Sequence, residues 1–226
     1  MNEVFQKIRK GLIVSCQSEG SSPFNSPGGV TMFARAAASA GAAGIRSEGI
    51  DKTRMIIAEI PLPVIGLVKS SFEDGFVRIT GSFKDVEDLL SIGTTIIAID
   101  GTFRSRQGYS GPDFIARVKN SYDCIVMADI ATEREAIACV AAGADCISTT
   151  LSGYTPETRH TNASPDFTLL AALAGKLTVP VIAEGRITTP EMAAKAMSFG
   201  AWSVVVGSAI TRPSEITKWF IDAIKT

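Results

Sequence analysis

The sequence has almost no net charge and no long hydrophobic run. Its 22 Lys and Arg residues nearly balance 23 Asp and Glu residues, which gives a formal charge of −1 over 226 residues. Proteins that bind nucleic acid or acidic membranes carry concentrated basic patches, so neither partner is expected. No apolar run reaches the roughly 20 residues of a membrane span, and the N-terminal residues lack the apolar core of a signal peptide. We therefore expect a cytoplasmic protein without membrane contacts.

Cysteine and histidine are also scarce, which limits the available chemistry. The four cysteines show no C-x-x-C spacing and three lie in or beside apolar runs, so we interpret them as small buried side chains. His160 is the only histidine, and a lone histidine in a polar loop is more often solvated than catalytic. The sequence predicts no metal and no cofactor, and favours acid/base chemistry by other side chains.

A β-branched run followed by an alanine-rich helical segment recurs about every 20 to 35 residues. Such alternation indicates a parallel sheet covered by helices. We predict one domain over residues 1–226, an α/β TIM (β/α)8 barrel of parallel strands, with an open doubly wound sheet as the alternative. The eight runs are "GLIVSC" from Gly11, "AAGIRSE" from Ala42, "PVIGLVK" from Pro63, "TTIIAID" from Thr94, "CIVMAD" from Cys124, "CISTTLS" from Cys146, "PVIAEG" from Pro180 and "SVVVGS" from Ser203.

Polar side chains follow these runs, whereas the residues before the runs are small or apolar. In TIM barrels the active site lies at the C-terminal ends of the strands, so the asymmetry predicts a catalytic face. The residues at or just past the ends of the runs are Gln17, Arg46, Lys69, Asp100, Asp129, Ser152, Glu184 and Gly207 with Ser208.

Two glycines after the last two runs predict a phosphate site. Gly185 and Gly207 occupy the loops where many barrels bind phosphate through backbone N–H groups. Ser208 can add a hydroxyl donor, and Arg186 or Arg212 can neutralise charge.

Lys69 and Asp100 each allow several interpretations. A lysine at a strand end acts as a base once burial lowers its pKa, or forms a Schiff base with a carbonyl. A salt bridge at the barrel mouth is a third interpretation. Asp100 precedes Gly101 and is more simply a turn or helix cap than a catalytic group.

The motifs themselves resemble the bacterial N-acetylmannosamine-6-phosphate 2-epimerase family over nearly the whole chain. The resemblance implies a TIM barrel that interconverts N-acetylmannosamine 6-phosphate and N-acetylglucosamine 6-phosphate in sialic acid breakdown. An amino sugar phosphate is then the small-molecule partner. The segments that carry the resemblance are "GLIVSCQ", "IRSEG", "PVIGLVK", "IIAIDGT", "MADI", "TTLSGYT", "VIAEGRI" and "GAWSVVVGSAITRP".

The resemblance also implies roles for individual residues. Lys69 and Glu184 match the family's essential pair, and we expect the lysine to act as base and the glutamate as acid from the manno sugar, a direction that stays open. The implied substrate-binding residues are Gln17, Arg46, Asp129 and Arg212. Gly185 and Gly207 with Ser208 match the family's phosphate site, where we also expect Arg186. Residues 18–29 and 104–111 offer nothing to transfer.

Two other functions remain open at this level. One is a phosphosugar sensor that has lost its chemistry, and the other is a phosphate-binding barrel acting as an isomerase, decarboxylase or aldolase on another substrate. The C-terminal segment places Trp219, Phe220 and Ile224 on or near one helix face. That face either caps its own barrel or packs on a second subunit in a homodimer.

Overall fold

Residues 2–159 and 164–225 are described here in a computed structural model of the chain, so His160 lies outside the described residues. In chain order the strands are β1 (Leu12–Cys16), β2 (Gly44–Glu48), β3 (Val64–Leu67), β4 (Lys69–Ser71), β5 (Val77–Ile79), β6 (Ile96–Asp100), β7 (Val126–Asp129), β8 (Cys146–Ser148), β9 (Val181–Glu184) and β10 (Ser203–Val206). The helices are α1 (Glu3–Ile8), α2 (Pro27–Ser39), α3 (Ile50–Glu59), α4 (Phe83–Ser91), α5 (Gly111–Ser121), α6 (Glu133–Ala141), α7 (Phe167–Lys176), α8 (Pro190–Ser198), α9 (Ser208–Thr211) and α10 (Pro213–Ile224).

Eight of the described strands close into a parallel barrel in the order β1, β10, β9, β8, β7, β6, β3, β2. Strand β1 completes the ring by pairing with β10 on one side and β2 on the other. The predicted TIM barrel is confirmed, and the open doubly wound sheet is wrong. Because all eight strands run in one direction, their C-terminal ends meet at one end of the barrel.

Alternation along each strand builds two apolar layers. Ile13 points into the barrel, where it packs in one cluster with residues such as Ile182 and Val205. Its neighbour Val14 belongs to an outer cluster that includes Val30 of α2. Side chains of successive strand residues face opposite sides, so runs apolar on both faces are what a helix-covered barrel requires.

Helix α1 closes the N-terminal end of the barrel. Phe5 and Ile8 pack in the inner cluster, and the indole nitrogen of Trp202 donates to the carbonyl of Phe5 at 2.7 Å. The end opposite the predicted catalytic face is therefore filled by apolar side chains.

An antiparallel hairpin of β4 and β5 follows β3 and was absent from the prediction. Its strands have three residues each and are joined by the segment 72–76. Strands this short and half-exposed do not stand out in the sequence as buried apolar runs. The hairpin has a functional consequence because Lys69 is its first residue, two positions past the end of β3.

The end of the sixth predicted run was placed too late. Strand β8 ends at Ser148, and the hydroxyl of Ser152 donates to Asp166 at the start of α7, at 2.7 Å. Ser152 is not a strand-end residue of the catalytic face. Thr150, two residues past the end of the strand, takes that place.

The cysteines are free thiols, as the sequence predicted, and Cys16, Cys139 and Cys146 are buried. Burial raises the pKa of Cys16 and of Cys139 to about 12. These two thiols are therefore protonated at neutral pH and unreactive. No helix in residues 2–159 and 164–225 combines the length and apolarity that crossing a bilayer needs.

Candidate active site

A cavity of about 730 Å³ lies at the C-terminal ends of the barrel strands. Of the residues predicted to bind the substrate or its phosphate or to transfer protons, all except Asp129 line it. These residues are Gln17, Arg46, Lys69, Glu184, Gly185, Arg186, Gly207, Ser208 and Arg212. The fold thus brings together groups that are spread over almost 200 positions of the chain. Their chemical roles stay predictions.

Arg46 holds two carboxylates at the floor of the cavity. Its guanidinium, 1% exposed, forms a two-point ion pair with Asp129, with Nη2–Oδ2 and Nη1–Oδ1 distances of 2.6 and 3.2 Å. The same Nη1 atom lies 3.2 Å from Oε2 of Glu184. One buried guanidinium therefore forms ion pairs with two carboxylates.

The pKa values of Arg46 and Glu184 are both raised, for different reasons. Burial would lower the pKa of Arg46, but the charges of Asp129 and Glu184 outweigh it and raise that pKa. Burial raises the pKa of Glu184, and the charge of Asp129 adds to the rise although Arg46 opposes it. A carboxyl group whose pKa is raised toward neutrality suits the transfer of a proton.

Asp129 lies beneath the cavity wall. Its side chain is fully buried and is held by Arg46 and by Thr150. The expectation of direct sugar contact gains no support from this position. The geometry shows a group that acts on Glu184 through Arg46 and Thr150.

Thr150 connects the two carboxylates and was missed by the sequence analysis. Its Oγ1 lies 2.7 Å from Oδ1 of Asp129 and 3.0 Å from Oε2 of Glu184. A hydroxyl has one hydrogen and can donate to only one of them. Donation to Glu184 stabilises the anionic form of this carboxyl and opposes the rise in its pKa that burial causes. The available signal was the hydroxyl-rich "STT" that ends and follows β8.

Lys69 reaches the cavity from the opposite side of the barrel. Its Nζ donates to the carboxylate of Glu19, so the salt bridge considered from the sequence is present. Glu19 lies in the segment 18–29 to which no role was assigned. It also faces Nη2 of Arg212 at 3.6 Å.

Gly185 and Gly207 form the cavity wall after β9 and β10. The φ angle of Gly185 is +113°, a conformation that side chains other than glycine rarely adopt. A Cβ atom on Gly207 would lie 3.3 Å from Cβ of Ser15, tighter than an ordinary contact. Together with Ser208 and Arg212, which also line the cavity, they provide the donors expected of an anion site.

Arg186 is tied to the neighbouring loop. Its Nη1 donates to the carbonyl of Ser152 at 2.8 Å and its Nε to that of Ser164 at 2.9 Å. The guanidinium also lies 5.1 Å from the centre of the Tyr154 ring. Arg186 thus contributes positive charge at the wall while two of its nitrogens hold the loop after β8.

Gln17 and Asp100 differ in their relation to the cavity. The amide of Gln17 lines it and donates to the hydroxyl of Ser15 at 2.9 Å. Asp100 does not line it and instead binds Thr102, Arg104 and Arg106. The interpretation of Asp100 as a structural turn residue is confirmed.

Comparisons with known proteins agree with one family. The family model described as "Putative N-acetylmannosamine-6-phosphate epimerase" matches residues 30–226. Curated relatives named "Putative N-acetylmannosamine-6-phosphate 2-epimerase" occur in Caldanaerobacter subterraneus subsp. tengcongensis, 44% identical over 99% of this chain and 94% of the relative, and in Clostridioides difficile, 42% identical over 98% and 99%.

A solved structure shares the fold. The N-acetylmannosamine-6-phosphate 2-epimerase from Clostridium perfringens has a TM-score of 0.92 and 41% sequence identity, covering 98% of this chain and 96% of that one. The chain therefore belongs to the N-acetylmannosamine-6-phosphate epimerase family.

Proposed function

We propose that the chain interconverts N-acetylmannosamine 6-phosphate and N-acetylglucosamine 6-phosphate, with Lys69 and Glu184 transferring protons at C2. One observation carries this proposal. Three strands separate β3, which leads into Lys69, from β9, which ends in Glu184, in both directions around the barrel. The two groups therefore face one cavity from opposite sides, and opposed proton-transfer groups are what inversion of a carbon centre requires.

The chemistry begins with the ring-opened sugar, because its C1 aldehyde makes the C2 proton acidic. A base removes that proton, and the electron pair of the C–H bond moves into an enolate whose negative charge lies on O1. An acid then returns a proton to the other face of C2, which inverts the centre. Arg46 and Gln17, both in the cavity wall, supply donors for the enolate oxygen or for the N-acetyl group.

The surroundings of Glu184 support the acid role for this residue. Burial raises the pKa of Glu184, so this carboxyl holds a proton to a higher pH than an exposed glutamate does. From the manno sugar, Glu184 acts as the acid and Lys69 as the base, and the roles reverse from the gluco sugar. The phosphate group bound at Gly185, Gly207, Ser208 and Arg212 fixes the position of C2 between them.

The direct test is proton NMR of the EDTA-treated protein with N-acetylmannosamine 6-phosphate in D2O. We expect the gluco epimer to appear with deuterium at C2, because proton transfer passes through solvent-exchangeable groups and needs no metal. A protein that binds the sugar phosphate but neither converts it nor exchanges its C2 proton would refute the function. Trapping of substrate on Lys69 by borohydride would indicate a Schiff base instead.

We further propose that α10 packs on a second copy of the chain. This helix has no buried residue, and Phe220 and Ile224 are 67% and 82% exposed. A 12-residue helix without such packing is marginal in water. A two-fold axis would bury the two equivalent apolar faces against each other.

Sedimentation velocity tests this assembly. The wild-type protein should sediment as a dimer at micromolar concentrations, and Phe220→Asp combined with Ile224→Asp should sediment as a monomer. Lys218→Gln on the same helix is the matched control and should stay dimeric. A wild-type monomer, or a dimer in the double variant, would contradict the proposal.

A further inference from the structure

Glu19 pairs with the two cationic side chains that are proposed to serve the substrate, Lys69 and Arg212. Its Oε1 accepts from Nζ of Lys69 and lies 3.6 Å from Nη2 of Arg212. Lys69 is the proposed base, and Arg212 is a proposed phosphate ligand. A single oxygen atom of the protein thus connects the proton-transfer group to the anion site.

Another anion can replace Glu19 in its ion pairs with Lys69 and Arg212. Partial burial raises the pKa of Glu19, but hydrogen bonding and attraction by Lys69 together with the charge of Arg212 hold it below its ordinary value. Glu19 is therefore an anion at neutral pH. Its side chain is 47% exposed, and exposed ion pairs contribute little free energy. A stronger anion at Arg212 can displace it at small cost.

The loop that carries Glu19 is anchored on both sides of this residue. Nζ of Lys52 donates to the carbonyl of Ser18 at 2.9 Å, and the amide of Asn25 donates to the carbonyl of Gly20 at 2.9 Å. The backbone is thus held while the side chain of Glu19 extends over the mouth of the cavity. Displacement requires a rotation of one side chain rather than refolding of the loop.

We propose that the substrate's phosphate group displaces Glu19 and thereby frees Lys69 for proton transfer. A phosphate monoester carries nearly two negative charges at neutral pH and binds arginine through two oxygens. It outcompetes Glu19 for Arg212 and repels the carboxylate, which then leaves Nζ of Lys69. A sugar without phosphate leaves Glu19 in place. Glu19 is a positioning residue that makes the reaction selective for phosphorylated sugar, an inference that rests on the proposed function.

The experiment compares Glu19→Gln with wild type and with Glu133→Gln. Glu133 forms an exposed ion pair with Lys176 at 2.7 Å, and its side chain is 42% exposed. It does not line the cavity and is therefore a matched control. The ratio of kcat/KM for N-acetylmannosamine 6-phosphate to that for N-acetylmannosamine is measured for each. We expect Glu19→Gln to lower this ratio about three- to fivefold, the range of one exposed ion pair, through a gain on the unphosphorylated sugar.

A binding measurement needs no turnover and separates this inference from the epimerase assignment. Titration calorimetry with inorganic phosphate should show about three- to fivefold tighter binding to Glu19→Gln than to wild type or Glu133→Gln. Phosphate could bind more tightly to Glu19→Gln while neither wild type nor either variant epimerises the sugar phosphate. This result would support competition between Glu19 and phosphate and refute the proposed function. Equal losses on both substrates, or an unchanged phosphate affinity, would overturn the inference.

Discussion

Glu184→Gln should lose epimerisation by roughly 10²–10⁴-fold, the usual contribution of one proton-transfer group. Glutamine keeps the shape of the side chain but cannot deliver a proton to C2. Lys69→Met should lose epimerisation by a similar factor, because methionine cannot transfer a proton on the other face of C2. Rates measured by NMR with both sugar phosphates test this, and inorganic phosphate binding should persist in Glu184→Gln because the glycine loops are unchanged.

Deuterium exchange distinguishes the two faces. In D2O, Glu184→Gln should still exchange the C2 proton of the manno sugar, because Lys69 removes it and returns deuterium to the same face. Lys69→Met should exchange only the gluco sugar, because Glu184 serves as base in that direction. The reverse pattern would exchange the roles of the two residues. Full activity in either variant would refute the proposed mechanism.

The raised pKa of Glu184 also predicts how stability depends on pH. The folded chain holds this proton above pH 4.5, the ordinary value, while the unfolded chain releases it. Between 4.5 and the folded pKa the native state binds more protons, so the free energy of unfolding falls as pH rises. Glu184→Gln should remove that component of the slope, which urea titrations at several pH values would reveal. An unchanged slope would contradict the raised pKa.

Arg46→Met should cost about 3–5 kcal/mol of stability, the range for breaking a buried ion pair. The substitution leaves the carboxylates of Asp129 and Glu184 buried near each other without a cation. Urea unfolding at neutral pH measures the loss. Adding Asp129→Asn to Arg46→Met should restore part of it, because one of the two unpaired charges is then removed.

An exposed ion pair provides the control. Arg35 pairs with Glu59 at the surface, and Arg35→Met should cost less than about 1 kcal/mol. A similar small loss for Arg46→Met would show that water or protonation relieves the buried carboxylates. The arginine would then be less important for the architecture of the site than its burial indicates.

Sequence reasoning was most successful where burial and periodicity decide the structure. In "VIAEGRI", residues 181–183 are buried and apolar, and the charge begins at Glu184, where the strand ends. Eight such runs in a parallel order predict that their ends meet at one face. The cavity-lining positions of Lys69, Arg46 and Gly207 could be predicted for this reason.

The hairpin and the loop that carries Glu19 could not be predicted in the same way. Both are short and polar, and their positions depend on contacts with distant parts of the chain. Glu19 pairs with a lysine 50 positions away, and Arg78 of the hairpin donates to the carbonyl of Ser105. No local pattern specifies such partners.

The sequence by itself determined the barrel and the face that carries the chemistry, because hydrophobic periodicity and strand direction are local properties that add up around a closed sheet. Only the tertiary structure decided which polar groups touch. Asp129 and Arg46 are 83 positions apart, and barrel closure alone buries them together beside Glu184. Thr150 lies between Asp129 and Glu184 because β8 lies between β7 and β9 in the sheet. Glu19 reaches Lys69 and Arg212 because the closed barrel brings their loops to one mouth.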